Sequence, residues 1–244
     1  MIEIIPAIDI MNGQCVRLSQ GNFQDKTVYA GSPLEIAKAY EAIGIKRLHL
    51  VDLDGAKAGS IKNLATLQAV AAGTSLIIDY GGGIRTDNDV ASVLDAGAIM
   101  INVSSIAIKQ PTVFTGWIQQ YGADKILLGA DVKNERIAVS GWAEHTDVRL
   151  FDFIQQHTDK GISNFFCTDI QQDGMLAGPS LDLFSRIVTA FPGICFIASG
   201  GVSKLDDIVA LEAAGCKGVI VGKALYEGRI TLHELQTYIS NGTN

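Results

Sequence analysis

Residues 77–89 read IIDYGGGIRTDND and residues 195–207 read CFIASGGVSKLDD: an apolar run, paired glycines and a polar stretch, in the same order. Gly82 and Gly200 are 118 positions apart, and the same offset relates Gly83 to Gly201, Ile84 to Val202, Asp89 to Asp207, Val90 to Ile208, Gly97 to Gly215 and Val103 to Val221. A register that stays unbroken over a strand, a turn, a helix and a second strand implies one folding unit present twice. Upstream the correspondence is looser, with Gly44 and Gly161, and Asp52 and Asp169, 117 apart, and Asp9 and Asp131 122 apart. Loops between strand ends and helices absorb such differences. A repeat of about half of 244 residues predicts a single domain over 1–244, made of halves at approximately 1–122 and 123–244 about a pseudo-twofold axis.

Eight runs rich in isoleucine, valine and leucine punctuate the chain, at 2–9, 46–54, 75–80, 98–103, 125–132, 164–170, 194–199 and 217–222. Such runs suit strands covered on both faces, as in a parallel sheet. The segments between them have helical spacing. After the third run, Val90, Val93, Leu94 and Gly97 follow i, i+3, i+4, i+7 behind the polar start RTDND, which supplies capping oxygens. Gly44, Gly97, Gly161 and Gly215 stand just before strands, where a helix end needs positive φ. Eight alternations of strand and helix predict an α/β fold, a (β/α)8 TIM barrel, with an open doubly wound sheet as the competing arrangement. The twofold repeat favours closure.

Composition narrows the partners. With 26 acidic against 19 basic residues, a net charge of -7 provides no cationic surface for nucleic acid or an anionic membrane, so an anionic ligand must be held locally. The start MIEIIPAIDI lacks the basic region, apolar stretch and cleavage site of a signal peptide, and no apolar run reaches spanning length. A cytoplasmic protein is expected. Cys15, Cys167, Cys195 and Cys216 fall in no metal-ligand spacing and are expected to be buried thiols. His49, His145, His157 and His233 form neither HxH nor HExxH, and no GxGxxG follows the first strand, so neither a metal nor a dinucleotide is expected.

A strand that ends in Gly-Gly and leads into a helix exposes backbone N–H groups near the positive end of the helix dipole, with no Cβ to hold a phosphate away. Barrels commonly bind phosphate at the loops after strands 7 and 8. Here these are SGGV (199–202) and VGKAL (221–225), which makes Gly200, Gly201, Gly222 and Lys223 candidate ligands. The first-half counterparts, GGGIR (81–85) and NVSSIA (102–107), add Gly82, Gly83, Arg85, Ser104 and Ser105. Two cradles predict a ligand with a phosphate at each end, lying across the barrel mouth; the alternative is that the glycines only permit tight turns. Asp79 conflicts with the first cradle unless it points away or Arg85 neutralises it. Ser104 and Ser105 replace Gly222 and Lys223 of the other half, and their hydroxyls can donate to phosphate.

Active sites of this fold lie at the C-terminal ends of the strands, where Asp9, Asp52, Asp54, Asp131, Asp169 and Asp173 gather. Asp9 and Asp131 occupy equivalent positions and are predicted to face one another across the mouth, where two carboxylates in different environments can divide acid and base work. Asp54 reads as a turn or capping residue. His49 is either packed core or a partner that orients a substrate oxygen. Lys133 is conceivable as a Schiff-base lysine but lies past its strand and reads as solvated. Trp142 and Arg17, in the long loops after strands 5 and 1, are candidates to stack on and clamp a planar ligand, or to pack locally.

Together, PAIDI (6–10), HLVDLDGA (49–56), GGGIR (81–85), GADVK (129–133), SGW (140–142), CTDIQQDGMLAGP (167–179), ASGGV (198–202) and VGKALYEG (221–228) resemble the histidine-biosynthesis isomerases of phosphoribosylformimino-aminoimidazole carboxamide ribotide. The resemblance runs from strand 1 through strand 8. It implies a duplicated half-barrel enzyme, without cofactor or metal, that converts an aminoaldose bearing two phosphates to the aminoketose, an Amadori rearrangement. It implies Asp9 as the base at sugar C2, Asp131 as the acid at the ring oxygen, Asp173 as an alternative acid, and Thr168 and His49 as supporting hydrogen-bond donors. The sequence departs from the family's commonest pattern at DYGGG and at VSS, both in the first phosphate site. The sister barrel, the cyclase subunit of imidazole glycerol phosphate synthase, resembles PCLDV after strand 1, lacks HLVDLDGA and requires a glutaminase partner. An isomerase works alone and is expected as a monomer. The remaining alternative is a non-catalytic phosphate-ligand-binding barrel, in which the carboxylates are dispensable.

Overall fold

The computed structural model describes residues 1–19 and 22–242, and only the backbone of residues 19 and 22–25. Eight parallel strands form its centre: β1 (Glu3–Met11), β2 (Arg47–Asp52), β3 (Ile77–Gly81), β4 (Met100–Val103), β5 (Ile126–Gly129), β6 (Asn164–Thr168), β7 (Cys195–Ser199) and β8 (Gly218–Val221). Each pairs with the next, and β8 pairs with β1 through Glu3–Gly218, Ile4–Val219, Ile5–Ile220 and Pro6–Val221. That last ladder closes the barrel and excludes the open sheet. A long helix follows each strand: α1 (Pro33–Ala42), α2 (Leu64–Gly73), α3 (Asp87–Asp95), α4 (Pro111–Tyr121), α5 (Leu150–Thr158), α6 (Leu181–Ala190), α7 (Leu205–Ala213) and α8 (Leu232–Asn241). No helix among the described residues is long and apolar enough to cross a membrane.

Period-two alternation makes two cores from each apolar run. On β1, Ile4, Ile8 and Ile10 pack between sheet and helices, whereas Ile5 and Ala7 point into the barrel and meet Met100, Leu127, Phe166, Ile197 and Ile220. Above this plug the inward positions turn polar. Asp9, His49, Asn102, Thr168 and Ser199 line a cavity at the C-terminal ends of the strands, so the position of the site follows from where the apolar alternation stops.

The doubled turn is doubled in conformation. Gly82 and Gly83 have φ of 103° and 85°, Gly200 and Gly201 of 90° and 82°. A Cβ on Gly82 would sit 2.1 Å from the Asp52 carbonyl oxygen, and one on Gly200 3.2 Å from the carbonyl oxygen of Asp169, its second-half counterpart. Backbone hand and close approach both demand glycine. Past each turn, one carboxylate caps the following helix. Asp89 Oδ2 accepts from the N–H groups of Arg85 and Thr86 and from the Thr86 hydroxyl; Asp207 Oδ2 accepts from the N–H groups of Ser203 and Lys204 and from the Ser203 hydroxyl. The positive φ expected at Gly44, Gly97, Gly161 and Gly215 is present, at 96°, 106°, 92° and 88°.

Several predicted boundaries shift. β2 stops at Asp52, not 54, because Asp52 accepts from Gly55 N–H and caps a short helix, Leu53–Ala58. β5 and β6 end at Gly129 and Thr168, which leaves Asp131 and Asp169 just beyond the ladders. The long loops are themselves structured. Strands Gln14–Ser19 and Asn22–Val28 form a hairpin that pairs antiparallel with β1, and Val132–Lys133, Arg136–Val139 and Glu144–Arg149 form a separate three-stranded sheet after β5. Cys15, Cys167 and Cys216 are buried free thiols, as expected, but Cys195 is only half-buried.

Candidate active site

Two adjoining cavities, of about 210 and 330 Å³, open at the barrel mouth and share Val51, Ala56, Asn102, Asp131, Gly141 and Phe166. Of the six aspartates near the mouth, Asp9, Asp131 and Asp173 line the 210 Å³ cavity, and Asp131 lines the 330 Å³ cavity as well. The other three hold loops. Asp52, fully buried, accepts from the N–H groups of Gly55, Lys62 and Asn63. Asp54 accepts from Asn12 N–H and the Asn63 amide, and Asp169 from Gln171 N–H and the Ser180 hydroxyl.

Asp9 and Asp131 keep different company. The hairpin after β1 sets Val16 opposite Asp9, and the next residue, Arg17, reaches back over the carboxylate. Its Nη1 donates to Asp9 Oδ2 at 3.1 Å and its Nη2 to Asp173 Oδ1 at 2.6 Å. Burial raises the Asp9 carboxyl above the ordinary aspartate range; the Arg17 cation opposes this, and the Asp173 charge adds to it. Burial also raises Asp131, opposed first by hydrogen bonds from the side chains of Thr168 and Trp142. One carboxylate thus has a cation for a neighbour, the other a hydroxyl and an indole.

These contacts alter several expectations. Arg17 lines the 210 Å³ cavity and at the same time bridges two carboxylates. Trp142, held at φ of 71°, and Thr168 line the cavity with Asp131, and their polar hydrogens lower its carboxyl against the effect of burial. Lys133 is exposed, as its place past the strand suggested. Asp79 points away from the glycine turn and into the barrel, where Oδ1 meets His49 Nδ1 at 2.5 Å. Arg85 does not neutralise it: that guanidinium lies over Gly59, where a Cβ would come within 2.3 Å of Cζ.

Both glycine turns open onto this space. Gly200, Gly201, Gly222 and Lys223 line the 210 Å³ cavity, with Lys223 Nζ donating to the Gly174 carbonyl at 2.8 Å. Gly82, Gly83, Arg85, Ser104 and Ser105 all line the 330 Å³ cavity. Sequence reasoning missed two residues of these walls. Lys109 joins the 330 Å³ cavity and donates from Nζ to the Ser140 hydroxyl at 2.6 Å and to Glu144 at 2.8 Å. The signal was its place four residues after Ser105, on the same face of the short helix Ser105–Lys109. Asn102, two residues past inward-facing Met100 on β4, was legible from strand alternation. Among the described residues, no group of three or more His, Cys, Asp or Glu is placed to hold a metal ion.

Known proteins match the chain along nearly its whole length. A protein of Bacteroides fragilis is 54% identical over 98% of this chain and 100% of its own, and bears the name 1-(5-phosphoribosyl)-5-((5-phosphoribosylamino)methylideneamino) imidazole-4-carboxamide isomerase. Proteins of the same name from Flavobacterium johnsoniae and Parabacteroides distasonis are each 52% identical, over 98% and 96% of this chain and 99% and 98% of their own. The family model described as histidine biosynthesis protein matches residues 3–231. With the closed barrel and the acidic mouth between its two glycine turns, this chain belongs to the histidine biosynthesis protein family.

Proposed function

We propose that the chain is the isomerase of histidine biosynthesis that turns a bis-phosphorylated aminoaldose into its aminoketose. The observation that carries this reading is that Asp9 and Asp131 line one cavity flanked by both glycine turns. The phosphate at one end meets Gly200, Gly201, Gly222 and Lys223, and the phosphate at the other meets Gly82, Gly83, Arg85, Ser104 and Ser105. The twofold substrate answers a twofold protein, two (β/α)4 halves fused at about residue 122. The expected enzyme is cytoplasmic, needs no cofactor and works alone as a monomer on a free small molecule.

The rearrangement needs an acid and a base. Asp131, raised by burial and without a cation in its hydrogen-bonded shell, supplies the proton that breaks the bond from C1 to the ring oxygen. The product is an iminium whose positive charge makes the C2 proton labile. Asp9, whose ionised form Arg17 favours, removes that proton to give the enaminol. Asp173 is tied to Arg17, which favours Asp131 over Asp173 as the acid. His49 orients a substrate oxygen, and Thr168 and Trp142 hold Asp131 in place. A positioned acid or base contributes roughly 10²- to 10⁴-fold.

A steady-state assay with the purified aminoaldose tests this, comparing wild type with Asp9→Asn, Asp131→Asn and Asp173→Asn. The expected result is a loss of about 10²-fold or more in kcat for the first two, with the circular dichroism spectrum unchanged. Undiminished turnover in Asp9→Asn would overturn the mechanism. Tight binding of the aminoaldose without turnover by wild type would favour a binding barrel.

A further inference from the structure

His49 and Asp79 stand opposite one another on neighbouring strands, β2 and β3, in direct register. His49 Nδ1 lies 2.5 Å from Asp79 Oδ1 and 3.4 Å from the Asn102 amide nitrogen. That amide nitrogen is itself a donor and lies 3.2 Å from Asp79 Oδ1. Two donors around one carboxylate oxygen is a consistent arrangement; an unprotonated Nδ1 against a carboxylate is not. The Nδ1 proton therefore goes to Asp79. The carboxylate is in turn anchored from below: Arg47 Nε lies 3.4 Å from Oδ2 as an ion pair, and Arg47 Nη1 lies 3.5 Å from Glu3. Asp79 and Arg47 are 0% and 5% exposed, so the pair sits inside the barrel and does not touch the cavity. His49 does line the cavity, its ring edge against Phe166 at 5.3 Å between centroids.

We propose that Asp79 is a positioning residue: by accepting the Nδ1 proton of His49 it fixes the ring and its tautomer, so that Nε2 faces the cavity as an acceptor for a substrate hydroxyl. This rests on the isomerase reading above and differs from the donor role that the family resemblance implies for His49. A neutral imidazole has one N–H, and here that N–H is committed to Asp79. The Amadori sequence has a use for an acceptor. When the enaminol becomes the ketone, C1 gains the proton that Asp9 took from C2, the O–H bond at C2 breaks, and its proton passes to Nε2. The imidazolium so formed has the Asp79 carboxylate beside it. Its proton then returns to Asp131, which lost one at ring opening, so the cycle neither gains nor loses protons.

The tests are a tautomer measurement and a double-mutant cycle. With four histidines in the chain, ¹⁵N–¹H correlation spectra of the imidazoles resolve each ring, and His49→Gln assigns the signal. In wild type, His49 is expected as the Nδ1–H tautomer. Asp79→Asn puts an amide donor where the carboxylate accepted, and is expected to switch His49 to the Nε2–H tautomer. It should lower kcat on the order of 10²-fold while KM changes little. In the His49→Gln background the same substitution should cost little more, since the two residues act as a unit. The proposal is overturned if wild-type His49 is the Nε2–H tautomer, if Asp79→Asn retains kcat, or if its effect is equally large without His49. The wild-type spectrum decides even if the variant fails to fold. A wild type that lacks isomerase activity yet holds His49 as Nδ1–H would sink the functional reading and leave the fixed ring standing.

Discussion

Two aspartates of identical covalent structure can serve opposite roles only if their surroundings differ, and at the mouth of this barrel the difference is Arg17. It donates to Asp9, whereas the groups that hold the Asp131 carboxyl down are a hydroxyl and an indole. Burial raises Asp9, and a base with a raised pKa loses function as pH falls through a value above the ordinary aspartate range. Arg17 opposes that rise. Replacing it, Arg17→Ala, is expected to move the low-pH limb of the kcat/KM profile to higher pH, read as the midpoint of the limb and not as its height. The aspartates and glycines of the site were legible in the sequence because chain symmetry marks them in pairs. The occupation of Arg17 by two carboxylates was not, since Asp173 lies 156 positions away and only the folded hairpin brings them together. Asp79 was visible only as a conflict. Its resolution depends on His49 standing in register across the β2–β3 ladder, which no residue near it in sequence announces.

At the scale of elements, Asp52 shows why a strand can end where its apolar run does not. The run 46–54 reads as strand throughout, yet a carboxylate at position 52 starts a helix by accepting from Gly55 N–H at 2.8 Å. The same side chain gathers Lys62 N–H, Asn63 N–H, the Asn63 amide and the Tyr80 hydroxyl, at 2.7, 2.9, 2.6 and 3.0 Å. It joins β2, the short helix Leu53–Ala58, the approach to α2 and β3. Asp52→Ala leaves several buried donors without partners, each costing roughly 1–3 kcal/mol, so a loss of at least about 3 kcal/mol in urea-induced unfolding is expected. The eight barrel strands were legible because burial on both faces writes an unmistakable apolar run. The hairpin after β1 and the sheet after β5 were not: Glu144–Arg149 is exposed but for half-buried Thr146 and Val148, and its pairing, not its composition, makes it a strand.

At the scale of the whole molecule, His157 of α5 faces Phe114 of α4 in the layer of helices around the barrel. Its ring packs edge-on against Phe114 and Phe153, with centroids 5.3 and 4.6 Å away, and its Nδ1 is buried without a partner. Burial, helped by Lys160, pushes its pKa down from 6.5 to about 4. The unfolded chain takes up a proton there near 6.5 and the folded one does not until about 4, so this site favours unfolding increasingly as pH falls between those values. The denaturation midpoint of wild type is expected to drop between pH 7 and pH 5 more steeply than that of His157→Leu. The turns that flank the mouth have a different vulnerability. Gly82 and Gly200 each press against the carbonyl of a matched aspartate, although those aspartates now do unlike jobs. A side chain at Gly82 would run into that carbonyl at 2.1 Å and one at Gly200 would crowd its own at 3.2 Å, both on a backbone of positive φ, so any substitution here disturbs the floor of the mouth before it touches a ligand.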